Sequence, residues 1–320
     1  VKKSEIYLDP LLNFYDIERP VNWKKVFGNE AQKLTVEIGF GMGEVLLRAA
    51  EENPLVNYVG IEQHTERIYK TLSGITRKRQ ADPDALRNIK ILSTDARVVF
   101  ERYFTESSID HIYCLFPCPW PKKSHVKYRL FNLEFLQLLN NRLKNDAVLY
   151  IVTDFYPYYI WLLDEAKESG FQSRTGKIMP QFGTKFEKKW VAGGQTDFFE
   201  ITLQKKEHKQ SLVKEDVDLK SFVLKSFDPS NFFFKDITGE YAFICKDMIF
   251  DQKQQRLLVY LMVSEPGMTQ RFWVEISRRG EAWRVFKMEG QNFLPTEGIR
   301  RAIEKVYEAA ANEPEEDICR

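Results

Sequence analysis

The residues of this 320-residue chain best suited to chemistry stand where short apolar runs end. In LTVEIGFGMGEV the run Leu34–Ile38 delivers Glu37, Gly39, Gly41 and Gly43 into a turn that opens onto a helical pattern. Glycines at alternate positions let backbone pass close to a ligand. The acid-x-Gly-x-Gly-x-Gly spacing differs from the G-x-G-x-x-G of a pyrophosphate cradle. A carboxylate just ahead of the turn repels phosphate and welcomes a cationic amino-acid group, such as the methionine part of S-adenosylmethionine. Glu62 ends the next run, in NYVGIEQH, where an acid in a nucleotide-binding sheet accepts hydrogen bonds from ribose hydroxyls. Asp95, followed by Ala96 in STDAR, reads equally as an acceptor for the exocyclic amine of adenine or as a helix cap.

A second group of residues speaks of the partner. Between Asp110 and Glu134 there is no acidic residue, and FPCPWPKKSHVKYRL places Lys122, Lys123, Lys127 and Arg129 directly after an apolar strand. Pro117, Pro119 and Pro121 stop both the sheet ladder and a helix, because each lacks an N–H and holds its predecessor extended. The expected result is a rigid exposed ledge whose cations suit polyphosphate. Trp120 and Tyr128 are candidates for stacking on an unstacked base, Trp120 equally for packing against the strand exit. Ends of consecutive strands converge on one crevice, so Cys118 and Lys122 are expected to face what Gly39 and Glu62 hold. Asp154, in IVTDFYPYY, and Thr184 with Glu187, in FGTKFEKKWVAGG, are expected to join them, although Thr184 and Glu187 also have the spacing of a capping box. Arg77, Lys78, Arg79, Lys185, Lys188 and Lys189 are candidates to extend a phosphate footprint.

These positions presuppose a sheet. From Leu34 to Leu203 apolar runs alternate with helical patterns, the signature of βαβ units. Strands are predicted at Leu34–Ile38, Tyr58–Ile61, Ile89–Leu92, Ile109–Phe116, Ala147–Thr153 and Thr196–Leu203. Helices are predicted at Glu44–Glu52, Arg67–Arg79, Phe131–Leu143 and Pro157–Ser169. This gives an α/β, Rossmann-like domain over 34–203 with a mostly parallel sheet, preceded by an arm at 1–33 and followed by a charged linker at 204–220. Aromatic and β-branched runs at Asn231–Phe234, Tyr241–Phe250, Leu257–Val263, Arg271–Ile276 and Trp283–Met288 predict a smaller, β-rich accessory domain over 221–320, closed by a helix at Thr296–Ala311 and an acidic tail. Residues 231–320 carry 13 Lys/Arg against 15 Asp/Glu, leaving 34 against 31 for the rest, so any RNA surface must be a local patch; the accessory domain could dock on the α/β domain for stability or make a second tRNA contact. The formal net charge of +1 decides nothing by itself. Cys114 and Cys118 are spaced i, i+4, and Cys245 and Cys319 stand alone, so neither a metal box nor a disulfide framework is expected. No apolar run is long enough for a membrane span and VKKSEIYLDP lacks a signal-peptide core, which makes the expectation a cytoplasmic protein with no membrane association.

EIGFGMGE, GIEQH, FPCPWPKKSHVKYRL, VTDFY and TKFE, in this order, resemble the bacterial tRNA (guanine-N7)-methyltransferase family, the TrmB type within the class I methyltransferases. The resemblance spans Leu34–Leu203. It implies S-adenosylmethionine held by Glu37, Gly39, Gly41, Gly43, Glu62, Asp95, Ala96 and Cys118, with no metal. It further implies a guanosine of the tRNA variable loop, conventionally position 46, held by Lys122, Asp154, Thr184, Lys185, Phe186 and Glu187. Lys123, Ser124, His125, Val126, Lys127, Tyr128 and Arg129 would touch RNA; no protein partner is required. The family typically has Asp where Cys118 stands, regarded as the catalytic residue, and Arg where Ser124 stands. Guanine N7 carries an in-plane lone pair, so methyl transfer needs no general base; alignment and electrostatics are the requirements. The alternatives are a methyltransferase for another RNA, or a catalytically impaired tRNA-binding protein.

Overall fold

The computed structural model describes residues 5–29 and 33–311, so Cys319 and the acidic tail lie outside the described residues. It separates into two compact units, Val1–Lys214 and Glu215–Arg320. The first unit contains β1 (Leu11–Leu12), α1 (Trp23–Phe27), β2 (Lys33–Ile38), α2 (Glu44–Glu52), β3 (Val56–Ile61), α3 (Thr65–Ala81), β4 (Ile89–Leu92), α4 (Ala96–Arg102), β5 (Ile109–Leu115), α5 (Leu133–Arg142), β6 (Leu143–Thr153), α6 (Tyr156–Glu165), β7 (Phe171–Ile178), α7 (Lys185–Ala192) and β8 (Phe198–Lys205).

Its eight-stranded sheet has the order β1-β4-β3-β2-β5-β6-β8-β7. Strands β1 to β6 pair in parallel, and β8 runs antiparallel to β6 and β7. Val36, Ile112 and Leu149, in the central strands, are wholly buried, as expected for strands covered on both faces by helices. The direction of winding reverses between β2 and β5, which opens a crevice at their carboxyl ends. In that register Glu37 lies beside Tyr113.

Several parts of this unit depart from the predicted elements, β1 and α1 in the expected arm among them. The edge strand β7 was not foreseen, because its polar middle QSRTGK is largely exposed and shows no apolar alternation. Helix α7 occupies the TKFEKKW stretch, and helix α4 the short ARVVFER. The first half of the stretch expected as a linker is fixed instead: β8 continues to Lys205, and the following segment is gripped by the last turn of α5. Asn140 Nδ2 donates to Glu207 O at 2.9 Å, Asn141 Nδ2 to Lys209 O at 2.9 Å, and Arg142 to the carbonyls of Ser211 and Leu212 at 3.2 and 3.1 Å. These side chains are fully buried, so satisfying their donors outweighs the segment's lack of apolar residues.

The second unit contains β9 (Phe222–Leu224), β10 (Ala242–Asp251), β11 (Arg256–Glu265), β12 (Met268–Arg279), β13 (Ala282–Lys287) and α8 (Glu297–Ala311). The antiparallel order is β10-β11-β12-β13-β9. Alternate residues Val259, Leu261, Val263, Val274, Ile276 and Val285 form one face, onto which α8 packs Ile299, Ala302, Ile303 and Val306. Asn231–Phe234 is not a strand: residues 229–231 form a single 3-10 turn, and Phe234 is buried in the core.

Candidate functional site

The turn after β2 is built as its sequence demands. Gly39, Gly41 and Gly43 all have left-handed φ, at 72°, 57° and 78°. Around Gly39 and Gly41 no atom stands within 4 Å of where a Cβ would be, so their backbone presents an open floor. Gly43 has the opposite reason for being glycine: it precedes α2, and a Cβ there would come within 2.6 Å of Thr71 Oγ1. Glu62 ties the turn to β3. Its carboxylate accepts from Gly41 N at 3.1 Å, Gln63 N at 2.9 Å, His64 N at 3.0 Å and Arg67 Nη1 at 3.3 Å. Its four lone-pair positions are thereby filled by protein donors.

Above this floor lies a cleft of about 560 Å³, lined by Glu37, Gly39, Gly41, Phe116, Arg67 and Lys70, and by Thr184, Lys185, Phe186 and Lys189 on its far side. It sits at the switch point between β2 and β5. Glu37 is buried at 3% exposure and accepts from the Tyr113 hydroxyl at 2.8 Å. Burial, more than any neighbouring charge, pushes its carboxyl up to about 8. An acid so placed, over a floor of open backbone, fits the cationic end of an amino-acid ligand.

The far wall is held by its own chemistry. Thr184 caps α7, its hydroxyl accepting from Glu187 N at 3.1 Å. Glu187, expected at the substrate, is instead occupied by its loop: the carboxylate is buried at 3% and accepts from the backbone N–H groups of Gln181 at 2.7 Å, Phe182 at 3.1 Å and Gly183. From the other side Arg48 Nη2 donates to Phe182 O at 2.9 Å and Lys185 N donates to Glu44 Oε1 at 3.3 Å. Phe182 and Trp190 then pack on Phe116.

The ledge begins where β5 ends at Leu115. Phe116 and Trp120 both have left-handed φ, 58° and 43°, conformations that cost non-glycine residues about 1–3 kcal/mol each and gather at functional sites. Residues Lys123–Tyr128 form a 3-10 turn rather than an open loop. Cys118, Lys122, Lys123, Ser124, Lys127 and Tyr128 are exposed, and His125 and Val126 half-buried. Trp120 packs its ring against His125 and Tyr128, at 5.6 and 5.4 Å between centroids. Arg129 corrects the expectation of an RNA contact. It is buried at 5% exposure, donates Nε to Pro119 O at 2.9 Å and lies over the Trp161 ring at 4.9 Å, holding the ledge from beneath.

Other expected residues are placed as follows. Asp95 takes the capping role: Oδ1 accepts from Arg97 N at 2.7 Å, opening α4, and Oδ2 accepts from Gln63 Nε2 at 2.8 Å. Ala96 is buried behind it. Asp154 is half-buried after β6, and burial raises its carboxyl above the ordinary range. Cys118, Lys122 and Asp154 stand outside the lining of the cleft. Arg79 is no part of a surface footprint, being buried and bound to Asp9, and Lys78 pairs with Glu51 at 2.6 Å. Arg67 and Lys70 line the cleft without belonging to any of the motifs, and Phe116 lines it as the first residue of the ledge motif. The first two share one face of α3 at i, i+3, a signal available once Glu62 is taken as the end of the preceding strand.

A mostly parallel sheet with its winding reversed at a glycine turn, completed by the antiparallel β8–β7 pair, defines a Rossmann-like class I methyltransferase. Comparison with known proteins agrees. A family model described as "Putative methyltransferase" matches residues 31–200. The chain is 42% identical over 186 residues to a tRNA (guanine-N(7)-)-methyltransferase of Chlorobium phaeobacteroides, covering 58% of this chain and 88% of that one. Relatives of the same description from Aquifex aeolicus and Thermotoga maritima are 29% and 27% identical, and the matches cover 92% and 90% of this chain and 97% and 92% of theirs. The chain belongs to the tRNA (guanine-N(7)-)-methyltransferase family. Among the described residues no helix is long and apolar enough to cross a membrane, and no cluster of side chains could hold a metal ion.

Proposed function

We propose that the protein transfers the methyl group of S-adenosylmethionine to N7 of a guanosine in the tRNA variable loop. The observation that carries this reading is the single cleft joining Glu37 and the open glycine floor to the wall Thr184–Phe186. Bound there, S-adenosylmethionine supplies an electrophilic methyl on a sulfonium. Glu37, with Oε2 engaged by Tyr113, offers its other oxygen to the ammonium group. Gly39 and Gly41 allow close backbone approach, and Glu62 keeps that turn in register. A ribose hydroxyl reaches Glu62 most easily in place of Arg67, the longest of its four hydrogen bonds at 3.3 Å. Asp95 serves through the α4 cap and through Gln63.

For the base, Asp154 is the carboxylate suited to accept from the N1–H and N2–H of guanine, leaving N7 to the methyl donor. Phe186 and Lys185, on the exposed start of α7, bound the target from the other side. Since N7 attacks with its own lone pair, no proton is removed; the chain contributes alignment and a field that accepts positive charge on the base. Lys122, Lys123 and Lys127, with Lys188 and Lys189, position phosphates, and Tyr128 offers an exposed ring.

The test is incubation with S-adenosylmethionine and unmodified tRNA, followed by mapping of 7-methylguanosine. Methylation in the variable loop is the expected result. Methylation elsewhere would make this a methyltransferase for another RNA site, and cofactor binding without transfer to any RNA would make it a tRNA-binding protein. Lys122→Ala is expected to weaken tRNA binding and to lower the slope of log affinity against log salt by about one. An unchanged slope removes Lys122 from phosphate contact.

A further inference from the structure

Tyr113 belongs to no motif of the cofactor site, yet parallel pairing sets it beside Glu37 on the same face of the sheet. Both side chains are buried, and the Tyr113 hydroxyl donates to Glu37 Oε2 at 2.8 Å. Among the described residues no group donates to Oε1, although Glu37 lines the cleft. A carboxyl with one oxygen engaged by the sheet and one facing a ligand space is built to change charge when that space fills.

We infer that Tyr113 and Glu37 form a proton-linked anchor: Glu37 keeps its proton while the cleft is empty, releases it to water when a cationic ammonium group arrives, and is held ionised and oriented by the Tyr113 hydroxyl. The inference rests on the cofactor reading above. The balance is simple: a neutral acid and a cation become a carboxylate–ammonium pair plus one proton in solvent. The groups around Glu37 fit this role. From α2, Glu44 opposes and Arg48 favours its ionisation; Glu62, at the end of β3, opposes it. On β3, Tyr58 opposes ionisation of Tyr113, and on β5 burial keeps Cys114 as a neutral thiol. His111, stacked on Tyr113, is shifted by burial toward its neutral form. Glu66, Arg67 and Lys70 of α3 and Lys185 and Lys189 of α7 line the same cleft. Burial is the largest influence and holds Glu37 at about 8, so the empty site is mainly protonated at neutral pH, and the Tyr113 hydrogen bond lowers the value. Removing that bond raises it further. Affinity for a cation therefore falls as pH falls through this range, and loss of the hydroxyl moves the fall to higher pH.

Calorimetric titration of the full chain with S-adenosylmethionine, at pH 7 in buffers of small and large ionisation enthalpy, reads the protons released directly. The wild type is expected to release close to one proton per cofactor bound. Glu37→Gln should abolish the release. Tyr113→Phe should weaken binding about tenfold at pH 7, and the loss should shrink as pH is raised toward 9. Wild-type binding without proton release would overturn the anchor, as would a Tyr113→Phe protein with unchanged affinity at every pH. Should Tyr113→Phe fail to fold, the wild type and Glu37→Gln decide the matter alone. Absence of any cofactor binding by the wild type would be a different outcome: it would remove the cofactor reading itself and this inference with it.

Discussion

Glu187→Ala should lower kcat for methyl transfer about a hundredfold while leaving cofactor affinity within a few-fold of wild type, because a misplacement of about 1 Å near a reacting centre costs that much. The carboxylate accepts from three consecutive backbone N–H groups, those of Gln181, Phe182 and Gly183. Without it three donors are left beneath the loop, each costing about 1–3 kcal/mol where water cannot reach. The loop will open rather than carry that cost. The Thr184 cap and the start of α7 then lose their station over the cleft. The floor and Glu37 are held independently of this loop, Gly41 by Glu62 and Glu37 by the Tyr113 hydroxyl, so cofactor affinity changes little. Glu187→Gln should fall between: its amide oxygen can still accept from Gln181 and Phe182, whereas its NH₂ meets the Gly183 donor. Hydrogen exchange separates positioning from direct contact with substrate. Amides 181–183 should lose protection in the free Glu187→Ala protein, and full protection with lost activity would put Glu187 on the substrate instead.

Residue type and spacing carried much of the α/β unit because its central strands are covered on both faces and therefore read as unbroken apolar runs. The ends of those runs place Glu37, Gly39 and Gly41, and the TKFE motif places Thr184–Phe186; all of these line one cleft. What escaped was set by partners distant in sequence. Arg129 reads as one more cation of a basic ledge, and nothing nearby announces that Trp161, on α6, lies beneath its guanidinium. The charged stretch after Lys205 looks like a linker until the buried amides and guanidinium of Asn140, Asn141 and Arg142 are seen to need its carbonyls. Asp95 and Glu187 carried two readings each, ligand acceptor and cap. At Asp95 the cap is made; at Glu187 only the Thr184 half of the box forms, the carboxylate accepting from Gln181, Phe182 and Gly183 rather than from the Thr184 N–H. Tyr113 left no signal, since a tyrosine within an apolar strand is ordinarily core; only the parallel register brings its hydroxyl to Glu37.

Cys118→Asp should raise the single-turnover rate about tenfold. Position 118 is exposed and follows buried Pro117 at the strand exit, so the new carboxylate meets no packing obstacle and stability should stay within about 0.5 kcal/mol of wild type. The family resemblance implies an aspartate here, and the chemistry explains what it contributes. Methyl transfer moves positive charge from sulfonium to the guanine ring, so a carboxylate accelerates the step only by the difference between its attraction for the two ends of that path. A fixed charge at 4–8 Å interacts by about 2–4 kcal/mol at an effective dielectric near 20. Because donor and acceptor are both cationic in turn, only about a third to a half of that is differential, which is the tenfold stated. Serine and asparagine carry no charge, so neither Cys118→Ser nor Cys118→Asn should reproduce the gain. The gain should appear in the chemical step under single turnover, with tRNA affinity unchanged or slightly reduced, since an added anion beside Lys122 weakens phosphate attraction. If Cys118→Asp leaves the single-turnover rate unchanged, position 118 does not limit methyl transfer in this chain, and the electrostatic demand is met instead by carboxylates that the fold already holds, Asp154 first among them.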